Sequence, residues 1–164
     1  MLINWRAPRL WLFGLGLVCA ASVALALVAQ HRFGMEPCPW CILQRMQIMA
    51  IGSLSLLAAA APVKWARQLL SLLLIPLAAS GAAAALWQHF VASKTNSCAL
   101  TLADRIITTI GLDSRWPDIF EVRATCADAA VSVLGVPFEF WSLALFLMTV
   151  AIAALAFWRG RQGD

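Results

Sequence analysis

Four stretches of this chain run almost free of charge for the length of a membrane crossing, and that feature limits the available folds more than any other. Residues 10–29 contain no charged side chain. A helix rising about 1.5 Å per residue crosses the ~30 Å of bilayer hydrocarbon with such a run. Further runs lie at 42–61, 68–90 and 138–158, so the expected architecture is an all-α, four-helix transmembrane bundle in a single membrane domain, 1–164. Its outward loops are about 30–41 and 91–137. A cleaved signal peptide competes for the first run, but an h-region is only ~7–15 residues long and three more apolar runs follow. Composition agrees: 62% of residues are hydrophobic and 12% charged, with mean hydropathy +0.82. Soluble domains carry about 25% charged residues. A soluble chain this small has no core large enough to hide the remainder.

The net charge of +4 raises nucleic acid as a partner, and the arrangement of charges argues against it. No basic run or aromatic-interleaved basic face occurs. The basic residues follow topology instead. Arg6, Arg9, Lys64, Arg67, Arg159 and Arg161 fall on one side of a four-span chain, with Asp164 as the only acid there. The opposite side mixes its basic residues with seven acids over longer connections. Short, densely basic connectors mark the cytoplasmic face, so both termini are expected inside.

The outward side holds Glu36-Pro37-Cys38-Pro39-Trp40-Cys41-Ile42-Leu43-Gln44-Arg45. A Cys-x-x-Cys spacing suits redox chemistry or half of a zinc site. Pro is favoured at a first helical position, so a helix is expected to begin near Cys38. Both sulfurs then sit at a helix N-terminus, where unpaired N–H groups and the positive dipole end favour thiolate. Cys38 to Cys41 is i to i+3 and Cys41 to Arg45 is i to i+4, which puts all three on one face. Arg45 competes between a functional role and snorkelling to the head groups.

Three other cysteines are present. Cys19 sits mid-run in the first span, where a thiol acts as a small apolar filler. Cys98 and Cys126 lie in the long second loop. Four cysteines in polar or interfacial positions suggest two disulfides in an oxidising compartment. Zinc is the rival, although only one Cys-x-x-Cys exists and both histidines lie elsewhere. Within the loop, Ala99, Ala103, Ile106, Ile107 and Ile110 recur at helical spacing, and Trp116, Ile119, Phe120 and Val122 cluster about Pro117. An amphipathic helix on the bilayer surface or a small folded cap accounts for this pattern. Pro76 implies a kink in the third span, whose small residues allow close helix approach. Trp40, Trp87, Trp116 and Trp141 read as interfacial aromatics.

Taken together, Cys38-Pro-Trp-Cys41 followed by Ile-Leu-Gln-Arg45, the Cys98 and Cys126 pair, His89 at the end of the third span and four spans with both termini inside resemble the bacterial disulfide bond formation protein B (DsbB) family. The resemblance covers essentially the whole chain. It implies a bacterial inner-membrane thiol:quinone oxidoreductase that reoxidises a periplasmic thioredoxin-fold (DsbA-like) dithiol oxidase. It further implies a Cys98–Cys126 disulfide that meets the partner through Cys98, and transfer from Cys126 to Cys38. Cys41 would then pass electrons to ubiquinone or menaquinone, and the quinol would feed the respiratory chain. Arg45 and His89 are the expected head-group donors, in a slot between the second and third spans. No metal ligand set is expected. Two rivals stand beside this reading: a quinone reductase of the vitamin K epoxide reductase type, whose Cys-x-x-Cys belongs near the end of its bundle, and a membrane assembly protein with purely structural disulfides.

Overall fold

The computed structural model describes residues 8–94 and 102–162. Within them, four long helices account for the four apolar runs: α1 (Pro8–Phe33), α2 (Pro39–Ala60), α3 (Lys64–Phe90) and α7 (Phe138–Gln162). The short elements between α3 and α7 are a 3₁₀ turn (Ala92–Lys94), α4 (Leu102–Ile110), α5 (Leu112–Arg115), α6 (Pro117–Phe120) and the strands β1 (Ser132–Val133) and β2 (Val136–Pro137). The chain is therefore an all-α, multi-pass membrane bundle with a helical loop.

Each span packs on the next, and α7 closes the ring by packing on both α3 and α1. Arg9 donates to the carbonyls of Ala61 and Pro62 at 3.1 and 3.3 Å, and the Arg159 guanidinium lies 4.6 Å from the Trp11 ring. The start of α1, the α2–α3 turn and the end of α7 therefore share one end of the bundle. The cysteine-bearing loop occupies the other.

The middle of the bundle is close-packed around Leu12, Leu15, Cys19, Ile48, Ile51, Leu74, Ala78, Leu145 and Phe146. Small residues set its helix spacing. A Cβ on Gly16 would lie 2.6 Å from Leu56, and one on Gly52 would lie 3.0 Å from the Cβ of Cys19. A Cβ on Gly81 would overlap the ring of Phe146, which is fully buried. Outward, Leu17, Leu25, Leu57, Leu69, Leu72, Leu73, Leu147 and Leu155 stay exposed, as a lipid-facing surface requires. α3 continues as helix through Pro76.

The long loop folds as a cap over one end of α2. Ala103 and Ile107, one turn apart on α4, are buried there, and Ile107 joins Ile42 and Phe120 in a small cluster. Gly111 ends α4 with φ +68°, a left-handed conformation that suits glycine, and its N–H donates to Ile107 O at 3.0 Å. The N–H groups of Arg123 and Ala124 both donate to Pro37 O, which ties the cap to the residue before Cys38. A two-residue hairpin then leads into α7, with Leu134 and Gly135 both at positive φ as such turns demand. This hairpin is too short for its alternation to be legible in the sequence.

Candidate functional site

Pro39 opens α2 and Cys38 caps it. The Cys38 backbone is extended (φ −86°, ψ 169°), and its sulfur accepts the Cys41 N–H at 3.3 Å. The two sulfurs are 2.7 Å apart. Cys38 is fully buried in a cluster with Trp40, Leu43, Ala84, Ala92, Ala103, Cys126 and Ala129. Its thiol is hydrogen-bonded with Cys126 as well as with Cys41, and these bonds together with burial push its pKa well above the ordinary thiol range. Cys38 thus stands between the loop cysteine and its own Cys-x-x-Cys partner.

Cys41 faces the other way. Its side chain lines a cavity of about 620 Å³ bounded by α1, α2, α7 and the 129–138 segment, with Gln88 contributed by α3. The volume lies within the ~300–1,000 Å³ usual for small-molecule sites. Val23, Leu25, Ala26, Phe33, Ile48 and Leu145 give apolar walls, while Cys41, Gln44, Arg45, Gln88 and Glu139 supply the polar groups. The sequence-based expectation is a slot between the second and third spans; this open space lies on the α1–α7 side of α2, and α3 reaches it through Gln88. Sequence spacing fixes which residues share a helix face but carries no information on which neighbour that face meets.

Arg45 is buried rather than snorkelling. Its Nη1 donates to Gln30 Oε1 on α1 at 2.9 Å and to the carbonyl of Ile119 in the cap at 2.5 Å. Gln30 in turn donates to Asp118 O at 3.3 Å. One guanidinium therefore joins α1, α2 and the loop at the edge of the cavity.

Gln88 was not singled out by sequence reasoning, yet it reaches the Cys-x-x-Cys directly. Its Nε2 donates to Cys41 Sγ at 3.3 Å, and its Oε1 accepts from Gln44 Nε2 at 2.6 Å. The signal available was its position on the face of α3 marked by Gly81, Ala84 and Ala85, the small residues that approach neighbouring helices. His89, one residue on, lies outside the cavity wall. Its Nδ1 is 2.6 Å from Glu139 Oε1, and its ring packs against Phe90 and Phe140. Glu139 is buried and does line the cavity, so His89 touches that space through Glu139.

Cys126 is buried beside Cys38, and Cys98 lies outside the described residues. Cys19 sits in the mid-bundle core, far in sequence and packing from this cluster. Trp40 departs from the interfacial expectation. It is buried under the cap with its ring centroid 6.4 Å from that of Trp87, because the loop covers the first turn of α2. Trp87, Trp116 and Trp141 remain about half exposed.

Comparison with known proteins agrees with this geometry. The family model described as disulfide bond formation protein DsbB matches residues 8–156. Disulfide bond formation protein B 1 of Pseudomonas entomophila is 31% identical over 156 residues, covering 94% of this chain and 92% of the relative. Disulfide bond formation protein B of Nitrosomonas europaea is 32% identical over 151 residues, covering 90% and 92%. That of Dechloromonas aromatica is 31% identical over 157 residues, covering 92% and 93%. With four spans, the capped Cys-x-x-Cys and a family match along nearly its whole length, the chain belongs to the DsbB family of disulfide bond formation proteins.

Proposed function

We propose that this chain is a disulfide-generating thiol:quinone oxidoreductase of the bacterial inner membrane. Its cysteine pairs face the periplasm, and it reoxidises a thioredoxin-fold, DsbA-like partner. The observation that carries the reading is the two-sided placement of the Cys-x-x-Cys. Cys38 abuts the loop cysteine Cys126, while Cys41 opens onto a largely apolar cavity.

In this reading a thiolate of the partner attacks Cys98 of a Cys98–Cys126 disulfide, forming a mixed disulfide and releasing Cys126 as thiolate. Attack by the partner's second thiol on the mixed disulfide then frees the oxidised partner. Cys126 attacks Cys38 of a Cys38–Cys41 disulfide, and Cys41 leaves as thiolate toward the cavity; Cys98, left as thiolate when the partner departs, then attacks Cys126, which re-forms the Cys98–Cys126 disulfide and releases Cys38 as the second thiol. Departure from Cys41 is favoured because its sulfur accepts an N–H from Gln88 and lies one helical turn from Arg45. Cys38 is the sulfur that faces the loop, so the exchange has a direction built into α2. A bound quinone supplies a two-electron, two-proton acceptor, so that two thiols become one disulfide as quinone becomes quinol. The cavity fits such a molecule: apolar walls from α1 and α7 for ring and tail, and polar groups at the Cys41 end. Arg45 and Gln88 are the residues proposed to hold the head group. His89 acts on it only through Glu139, whose carboxyl it positions. The positive connectors at the far end of the bundle support an inward placement of both termini.

The test is quinone reduction by the purified protein with a reduced thioredoxin-fold donor. Turnover that disappears in both Cys38→Ala and Cys98→Ala supports the two-pair relay. A folded protein with intact disulfides and no turnover on ubiquinone or menaquinone analogues would return the chain to a structural role.

A further inference from the structure

The cavity end of the bundle contains two buried glutamines in series. Gln44 on α2 and Gln88 on α3 are each only 3% exposed. Gln44 Nε2 donates to Gln88 Oε1 at 2.6 Å, and Gln88 Nε2 donates to Cys41 Sγ at 3.3 Å. Gln44 follows Cys41 by three residues, so both face α3 from the same side of α2. We infer that Gln44 is a positioning residue for the reactive sulfur: it fixes the Gln88 amide so that an N–H, not a carbonyl oxygen, is presented to Cys41. This rests on Cys41 being the leaving thiolate of the proposed reaction.

The physical reason is the asymmetry of the amide. A carboxamide has a donor end and an acceptor end, and rotation by half a turn exchanges them at little steric cost. At Gln88 that rotation alone would set its NH₂ against the NH₂ of Gln44 and its oxygen against Cys41. Two donors would meet on one side, and on the other a carbonyl would face a sulfur that must carry negative charge. Both mismatches are buried, where unpaired polar groups cost most. Reversing both amides together instead suits a neutral Cys41 whose S–H donates to Gln88, and a thiol is a weak donor. The aligned series Gln44 to Gln88 to Cys41 is thus the one matched to a thiolate, with each bond polarising the next. Cys38, Cys126 and Arg45 also act on Cys41, and Glu36 and Glu139 are the acids that line the same cavity. Of these, Cys38, Arg45, Glu36 and Glu139 make no hydrogen bond to the Gln88 amide among the described residues.

A double-mutant cycle on the reduced, quinone-stripped protein in detergent tests this. The readout is the rate at which Cys41 is alkylated by iodoacetamide at pH 7, followed by peptide mass spectrometry. Alkylation requires thiolate, so the rate reports its population. Gln88→Met is expected to slow it about tenfold, the scale of a hydrogen bond to a charged group. Gln44→Met is expected to slow it about threefold through loss of orientation. In Gln88→Met, adding Gln44→Met is expected to change nothing further, because the one side-chain hydrogen bond of Gln44 among the described residues is to Gln88. Gln44→Asn, too short to reach Gln88, carries the same expectation should Gln44→Met not fold. An unchanged or faster rate in a folded Gln44 variant overturns the inference, as does an effect of Gln44 that adds to that of Gln88→Met. No quinone enters the assay. Failure of quinone turnover alongside the expected cycle would therefore count against the proposed function and not against the glutamine series.

Discussion

The middle of this bundle and its cysteine-bearing end are built from the same apolar helices on opposite principles. In the middle, glycine, alanine and one cysteine let helices touch, and Phe146 fills the notch left by Gly81. At the other end the helices hold buried polar side chains, Arg45, Gln44, Gln88 and Glu139, around an open cavity. The comparison is sharpest for the cysteines. Cys19 packs against Gly52 as a small apolar residue, whereas Cys41 faces the cavity and accepts an N–H from Gln88. A thiol takes its chemistry from its neighbours, and buried polar groups are tolerated in a membrane protein only where they satisfy one another.

The largest expected effect lies at the cysteine-bearing end. Cys41→Ala and Cys38→Ala should each reduce donor-dependent quinone reduction to background, measured as quinone absorbance loss in detergent. Residual turnover above a tenth of the parent in either would detach the Cys-x-x-Cys from the reaction. Next comes Arg45→Met, which should raise the KM for quinone about tenfold, the scale of one charge-assisted hydrogen bond. Because Arg45 also donates to Ile119 O, the same variant should make the 111–123 segment more susceptible to limited proteolysis. A KM change without any change in cleavage would separate the two roles.

The middle of the bundle should answer to volume instead. Gly81→Val drives a side chain into the Phe146 ring and is expected to destabilise the bundle by about 2 kcal/mol, read as a lowered thermal midpoint. Combining it with Phe146→Val should recover part of that loss. If Gly81→Val leaves the midpoint unchanged, the close approach of α3 and α7 is not a determinant of packing.

A smaller effect is set by pH. In the reduced protein Cys38 binds its proton more tightly than the ordinary thiol value of 9.0, through hydrogen bonds with Cys126 and Cys41 and through burial. The folded state then retains a proton that the unfolded chain releases above pH 9.0, so Cys38's contribution to stability is whole below that value and declines as pH rises through it. The thermal midpoint of the reduced protein should fall more steeply above pH 9.0 than that of Cys38→Ser. Parallel curves would remove Cys38 as the cause. The smallest effect is expected for Cys19→Ala: turnover within about twofold and a stability loss of about 1 kcal/mol or less, as for a small buried deletion that leaves helix spacing intact. Lost turnover in the folded variant would erase the contrast between the two regions.

What the chain's own order of residues determined is considerable. Apolar runs nearly free of charge dictated four spans, since a helix satisfies its own backbone within the bilayer. The period of Ala103, Ile106, Ile107 and Ile110 marked α4, and Pro39 with the i+3 and i+4 spacings placed Cys38, Cys41 and Arg45 about one helix start. These are local properties, carried by a few consecutive residues. Helix adjacency is not local. It was decided by where Gly16, Gly52 and Gly81 let neighbours close in, and that choice left the open space beside α1 and α7 instead of between α2 and α3. The same tertiary packing joined Gln88 to Cys41 across 47 positions and His89 to Glu139 across 50. It also buried Trp40 under a loop that its own neighbours in sequence do not predict. A hydrogen bond between distant residues depends on the difference of two helix positions in space, and no pattern within either helix encodes it.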